Sequence, residues 1–426
     1  MLKVNTLVRD RIFSDRFFLL IGRNIDKRSK FPLEEKHRDL LRLIMSLHYI
    51  ECQKSRELKL VLDTRFDDEF NSIKHDLERL FLLLTGRPIE LVFRLPPARG
   101  SQAVLNDLEP QDPILFSGGV DSISGAIKTI SQNPKSVLLH IDSSRPIFGK
   151  ARRILVDRFF NTTYTYCIDT RIRSEADRSL FSNTRGLLFL TAGYVVSKVL
   201  KSSKLVFCEN GAQMLDAMMG SLAYNNAVAT KNTNLKYLKE IENLLCRFEG
   251  RRFIIKYPLS GRTKSESISE YLNEGLLKKS WSCYSARGRR KMCGSCWNCF
   301  ITRLSVLAAG FRSESQDFET NPLRDVLASP SFLNNQRIIY NMMVFYRKVI
   351  DEDCQVLNEL RRYENVFRNP LDLATRFALD LFLGLSISLS GITNKNGLAR
   401  KADELLSGID PSLLLHRKEL LTSHHT

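Results

Sequence analysis

The densest chemistry in the sequence is four cysteines within seventeen residues: Cys283, Cys293, Cys296 and Cys299. The Cys-x-x-Cys steps bring two or more sulfurs onto one tight turn, and Gly294 sits inside the first step, as such a turn prefers. Four thiolates fit a tetrahedral Zn²⁺ in a closed structural site. An iron–sulfur cluster is the runner-up, and buried free thiols are the plain alternative. Four protein ligands leave no open coordination position, so such a metal fastens the fold and does no chemistry of its own. The remaining cysteines (Cys52, Cys167, Cys208, Cys246 and Cys354) are scattered. An odd total with one tight cluster reads as a metal site in a reducing cytosol, not as a disulfide framework. Arg287, Arg289, Arg290 and Lys291 make the intervening loop basic, suited to a phosphate, a partner or plain solvation.

The second candidate is Ser117-Gly118-Gly119-Val120-Asp121-Ser122, entered through Phe116 from a short apolar strand. Two glycines let the backbone turn sharply and approach a ligand closely. The amides of the helix that follows form an anion site suited to a pyrophosphate. Ser117 and Ser122 add hydroxyls. Asp121 is awkward beside phosphates unless it holds a cation such as Mg²⁺ or orients a ribose. The Gly-Lys-Ser/Thr ending of a Walker A loop is absent. A capped Gly-Gly turn at a helix start is the bland reading. Its position at the first strand–helix junction of an α/β unit favours a nucleotide site.

The elements around these residues alternate. From Pro113 the pattern reads strand 113–116, helix 121–131, strand 136–141, helix 148–160, strand 163–168, helix 185–200, strand 204–210, helix 234–247, strand 251–259 and helix 265–275. Such alternation predicts a doubly wound parallel sheet. Ahead of it, 16–23 reads as a strand, 33–53 as a helix, and 78–97 as helix, turn and strand. Pro96 to Pro113 reads as a linker. Beyond about 315 the spacing is helical only, as in 337–350 and 371–387. The expected organisation is an α+β extension over 1–110, a nucleotide-binding α/β domain over 111–312 carrying the cysteine loop 283–299, and a helical region over 313–426.

The chain has 426 residues, with 64 Lys plus Arg against 47 Asp plus Glu, for a formal net charge of +17. That balance leaves room for a nucleic-acid partner or an anionic ligand without requiring either. Apolar residues at 43% and charged residues at 26% exclude a disordered chain or a fibre. The most apolar stretches, 187–200 and 378–392, contain Lys198 and Asp380, so no membrane span is expected. MLKVNTLVRDRIFSDRFF has no apolar core of signal-peptide type, and a cytoplasmic protein is the expectation.

The six residues 117–122 resemble the signature of the PP-loop ATP pyrophosphatases, which cleave ATP between the α and β phosphates. Trp281-Ser282-Cys283-Tyr284 followed by Cys293-Gly294-Ser295-Cys296-x-x-Cys299 resembles a block of the 7-cyano-7-deazaguanine synthases, the QueC family. Asn183-Thr184-Arg185, Glu209-Asn210 and Tyr257-Pro258-Leu259 with Thr263-Lys264-Ser265-Glu266 resemble further segments of that family, in order. The resemblance covers about 112–310. Gly186, Phe300 and Arg303 depart from the family pattern. With folded segments on both sides, the chain looks most like the QatC-type QueC-like proteins of bacterial anti-phage systems.

The resemblance implies ATP, Mg²⁺ and Zn²⁺ as cofactors and a 7-deazaguanine carboxylate as the small-molecule substrate. It implies an ATP-dependent carbon–nitrogen ligase that adenylates the carboxylate and passes it to an amine, giving an amide or nitrile. Phe116 to Ser122, His140 and Arg185 would bind ATP, Asn210 and Lys264 the substrate, and Asp121 and Lys264 would serve catalysis. Protein partners would come from a multi-gene defence system. Two alternatives stay open: a PP-loop enzyme modifying bases on nucleic acid, and a non-enzymatic ATP-binding subunit of a defence complex.

Overall fold

The computed structural model describes residues 2–4, 18–22, 29–52, 59–95, 110–142, 165–169, 183–218, 233–283, 291–311, 316–321, 323, 333–390 and 398–423. The strands are β1 (Leu2–Lys3), β2 (Phe18–Gly22), β3 (Ser29–Pro32), β4 (Lys59–Asp63), β5 (Glu90–Arg94), β6 (Pro113–Leu115), β7 (Val137–Asp142), β8 (Thr165–Asp169), β9 (Lys204–Phe207) and β10 (Ile254–Lys256). The first seven helices are α1 (Glu35–Cys52), α2 (Asp67–Thr85), α3 (Val120–Gln132), α4 (Arg185–Val199), α5 (Gly211–Met218), α6 (Leu235–Glu249) and α7 (Lys264–Tyr271). The remaining ones are α8 (Glu274–Lys279), α9 (Trp297–Ala308), α10 (Leu333–Ile350), α11 (Cys354–Arg361), α12 (Pro370–Leu389), α13 (Leu398–Ser407) and α14 (Pro411–Thr422). The chain divides into two compact units that interleave along the sequence.

The first unit comprises Met1–Ser117, Thr129–Phe207 and Thr230–Tyr257. It holds a seven-stranded sheet in the order β10-β9-β6-β7-β8-β2-β3. The five strands from β10 to β8 run parallel. Short apolar segments such as Val137-Leu138-Leu139 suit parallel strands buried on both faces, and all three side chains are buried. Successive strands β6, β7 and β8 are laid down in one direction, and β9 then starts on the other side of β6. The order therefore reverses at β6, and the loops leaving the carboxyl ends of β6 and β9 carry residues 116–119 and 208–210. In open α/β sheets that reversal is where ligands bind.

The sequence pattern places this sheet's strands within 113–259. The structure adds to it: β2 pairs antiparallel with β8, and β3 with β2. A sheet ending at β8 would leave an open row of backbone donors and acceptors, and the hairpin from the N-terminal segment occupies that edge. A second, three-stranded parallel sheet, β1-β4-β5, forms from the same segment. Helix α2 bridges β4 and β5 and buries Phe70, Ile73, Leu77, Leu80, Phe81 and Leu84, one face at helical spacing. Helix α4 is apolar nearly all round and buried accordingly.

The second unit comprises Gly118–Lys128, Cys208–Ala229 and Pro258–Thr426, and its described elements are helices. Helix α12 is its spine, with α9, α10 and α14 packed along it. The whole is a mixed α/β protein with parallel sheets and many helices, consistent with a PP-loop-like core. The expected helix at 148–160 and most of the linker ahead of Pro113 lie outside the described residues. Among the described residues no helix is long and apolar enough to cross a membrane.

Candidate active site

Three helix starts of the second unit meet around one carboxylate. Asp121 lies in the first turn of α3, Lys264 is the first residue of α7, and Asn210 immediately precedes α5. The Lys264 ammonium pairs with Asp121 Oδ2, and Asn210 Nδ2 donates to Asp121 Oδ1 at 2.9 Å. Lys264 is 1% exposed, so its charge requires a partner there, and Asp121 supplies it. Each helix start is built by local sequence. Asn210 Oδ1 accepts from the Gln213 amide at 3.0 Å, capping α5. Thr263 and Glu266 form a capping box at the start of α7. Gly211 N–H donates to the carbonyls of Leu259 and Arg262, both at 2.9 Å, so the segments bearing Asn210 and Lys264 share one base. Helix N-termini carry partial positive charge, and three of them together suit an anion.

The loop ahead of α3 is fixed from several sides. Phe116 is buried and its amide donates to Leu139 O at 2.8 Å, while Ser117 is exposed. Gly118 has φ 76°, a backbone state that side-chain-bearing residues rarely adopt. Ser122 Oγ and the Ile123 amide both donate to Gly119 O. The Trp281 amide donates to Gly118 O at 2.8 Å, and the Val120 amide donates to Ser282 Oγ at 3.2 Å.

Those two residues lead directly into Cys283, so the glycine loop and the cysteine cluster are joined by adjacent residues. The four thiols are buried, and their Sγ atoms all lie within 4.8 Å of one another. Sγ separations are 3.4 Å for Cys283–Cys293 and Cys296–Cys299, 3.9 Å for Cys283–Cys296 and 4.0 Å for Cys293–Cys299. Tetrahedral Zn²⁺ with Zn–S bonds of about 2.3 Å requires sulfurs about 3.8 Å apart, so the donor set fits that ion. Cys293 and Cys299 amides each donate to a cluster sulfur at 3.4 Å. Gly294 has φ 74°, and a Cβ there would lie 1.6 Å from Thr320 O. Tyr284, Arg287, Arg289 and Arg290 lie outside the described residues. Lys291 is exposed and pairs with Asp317 at 3.0 Å.

Glu209, named in the sequence only as the neighbour of Asn210, is a titratable group close to Asp121 and Lys264. Burial pushes its carboxyl up to about 8, the negative charge of Asp121 adds to that, and Lys264 opposes it. Burial likewise pushes up the neighbouring Cys208 thiol, with Asp121 and Glu209 contributing. Gln213 and Asn298 extend the polar row: Asn210 Nδ2 donates to Gln213 Oε1 at 2.5 Å, and Gln213 Nε2 to Asn298 Oδ1 at 3.5 Å. Two acidic or amide residues straight after a strand at the switch point were the available signal for Glu209.

His140 and Arg185 belong to the first unit. His140 is buried within β7, in register with Cys167 of β8. The strand continues two residues beyond it, to Asp142. Arg185 opens α4, its guanidinium 4.9 Å from the centre of the Phe189 ring. The start of α4 is held by Glu51 of α1, whose carboxylate accepts from the amides of Asn183 and Thr184 at 2.7 and 2.9 Å and from the Thr184 hydroxyl. His48 Nδ1 lies 2.8 Å from Thr184 Oγ1, and burial brings its imidazole down to about 4. Glu51 and His48 were not among the sequence candidates, since nothing local in 48–51 signals a partner so far along the chain.

Residues 171–309 match the family model of the queuosine biosynthesis protein QueC. The match covers about a third of the chain, including Asn183–Arg185, Glu209, Asn210, Lys264 and all four clustered cysteines. It begins after the Gly-Gly loop at 117–122. None of the curated proteins compared with the chain matches it. A QueC-like domain supports the PP-loop family and implies an ATP-dependent enzyme of ligase type, and the Cys₄ cluster suggests metal binding.

Proposed function

We propose that this protein is a cytoplasmic ATP-dependent ligase of the QueC-like type that adenylates a 7-deazaguanine carboxylate and passes it to an amine. The observation that carries the reading is the meeting of Asp121 with Asn210 and Lys264. Asp121 comes from a Gly-Gly loop outside the family match, and its two partners come from inside it. A chance resemblance in either segment would not require the two to meet.

In this reading the substrate carboxylate attacks the α-phosphorus of ATP, the α–β bond breaks, and pyrophosphate leaves. An amine then attacks the acyl carbon and AMP departs, leaving an amide. A second activation of that amide would give a nitrile. The loop 117–122 and the start of α3 hold the leaving pyrophosphate, whose growing charge meets fixed amides. Lys264 neutralises phosphate charge, Asp121 keeps that lysine aimed, and Asn210 reads an edge of the base. Phe116 and Val120 shape the loop, while His140 and Arg185 serve the adenosine part of ATP. Asp121 is an oxygen donor of the kind Mg²⁺ takes, and that ion when bound would neutralise phosphate charge. The four cysteines would hold Zn²⁺, which would fasten the segment that carries Trp281 and Ser282. The regions 1–110 and 313–426, which flank the QueC-like span 111–312 in sequence, would serve protein partners in an anti-phage system of the QatC type.

The test is mass spectrometry of 7-carboxy-7-deazaguanine incubated with ATP, magnesium, ammonium and the protein. The expected product is the primary amide or the nitrile. Unchanged substrate, with base-modified nucleic acid formed in a parallel reaction, would favour the base-modifying reading that the +17 charge supports.

A further inference from the structure

A buried ionic network ties the start of α7 to helices far along the chain. Asp380, near the middle of the apolar helix α12, is 1% exposed. It accepts from the Thr263 hydroxyl and, at 2.7 Å, from Arg417 Nε of α14. Arg417 Nη2 also donates to Glu266 Oε1 at 2.7 Å. Arg376 of α12 places Nη1 2.5 Å from both carboxylate oxygens of Glu266 and donates from Nη2 to Gly261 O at 3.2 Å. Ser269 Oγ donates to Leu421 O.

Asp380, Arg417 and Arg376 each reach Thr263 or Glu266, the two members of the capping box. Lys264 lies between them in sequence. Burying Asp380 and Arg417 costs solvation that their pairing offsets only in part, so the network fixes geometry more than it adds stability. Thr263 and Glu266 already satisfy one another, so capping alone does not call for two arginines and a second carboxylate. What the extra groups add is a fixed anchor, on α12 and α14, for the turn that aims the Lys264 ammonium at Asp121.

We infer that Asp380, Arg417 and Arg376 are positioning residues: through Thr263 and Glu266 they set where the Lys264 ammonium sits, making the C-terminal helices part of the catalytic apparatus. The inference rests on the proposed role of Lys264 in ATP chemistry, and its geometry stands apart from that role. Burial pushes the Asp380 carboxyl up despite Arg417, while Glu266, opposed by burial, is held below the ordinary range by Arg417 and Arg376.

The experiment uses the full-length protein carrying Asp380→Asn, Arg417→Lys or Arg376→Met. Hydrogen exchange is read at amides 264–268, with α10 as the internal reference, and ATP turnover is split into kcat and KM. In Asp380→Asn the amides at 264–268 should exchange at least tenfold faster while α10 is unchanged. Its kcat should fall about tenfold with KM for ATP within twofold, since aim and not ground-state binding is lost. Arg417→Lys, which keeps a cation, should stay within threefold of wild type in exchange. Equal acceleration in α10, or no change at 264–268, overturns the inference. If Asp380→Asn does not fold, Arg376→Met decides by the same readings, because its arginine is partly exposed. A wild-type protein that forms no AMP would refute the ligase reading, and the exchange result would still decide the positioning.

Discussion

Replacing Glu209 by Gln should stabilise the protein at alkaline pH and do little at acid pH. The folded protein holds the Glu209 proton far more tightly than an unfolded chain, at about 8 against an ordinary 4.5. Stability from the protonated acid is therefore fully present below 4.5 and is lost as pH rises through about 8. That interval corresponds to at most about 5 kcal/mol between the two protonation states. Reorganisation around the ionised carboxylate, equivalent to an effective dielectric well above that of a dry interior, recovers part of this and leaves ~2 kcal/mol. Gln keeps the shape and cannot ionise. Over a unit of this size ~2 kcal/mol is roughly 4–8 °C in Tm. The assay is thermal unfolding of wild type and Glu209→Gln at pH 5 and at pH 9. The variant should match wild type within about 2 °C at pH 5 and exceed it by several degrees at pH 9. Equal shifts at both pH values, or a loss at pH 9, would refute the assignment of Glu209 as a half-buried, proton-holding acid beside Asp121.

The protein should carry one Zn²⁺ per chain, and Cys296→Ser should release it and lower Tm sharply, because structural zinc sites contribute on the order of 10 kcal/mol; metal analysis after mild purification checks this. Gly294→Ala should loosen the same metal, since φ 74° and the Thr320 carbonyl leave no place for a Cβ, and chelator challenge should strip the variant faster than wild type. Lys264→Met should lower kcat for ATP cleavage by about 10²–10³, the range seen when a preorganised charge-stabilising group is lost, and steady-state kinetics would show it; a variant within threefold of wild type would count against the role given to Lys264.

Much of the parallel sheet could be read from the chain, because alternation of short apolar runs with helical spacing is a local signal. The same holds for the Gly-Gly loop and the Cys-x-x-Cys steps, where residue type and spacing carry the chemistry. The addition of β2 and β3 to β8 was not legible: strand pairing across such separation leaves no periodicity to detect. Nor was the hold of Glu51 on the start of α4, which depends on a side chain 133 residues away from Thr184. Asp380 was visible as a charge interrupting an apolar helix, but its partners Thr263 and Arg417 come from other elements. Glu209 was visible beside Asn210, while the burial that sets its proton affinity exists only once Asp121 and Lys264 converge.

Adenylation requires that ATP be cut between its α and β phosphates. Incubation with [α-³²P]ATP, 7-carboxy-7-deazaguanine and an amine should yield labelled AMP and an equal amount of pyrophosphate, both dependent on the carboxylate and both absent in Asp121→Asn. Labelled ADP with free phosphate, or AMP that forms equally without the carboxylate, would contradict adenylation as the mechanism.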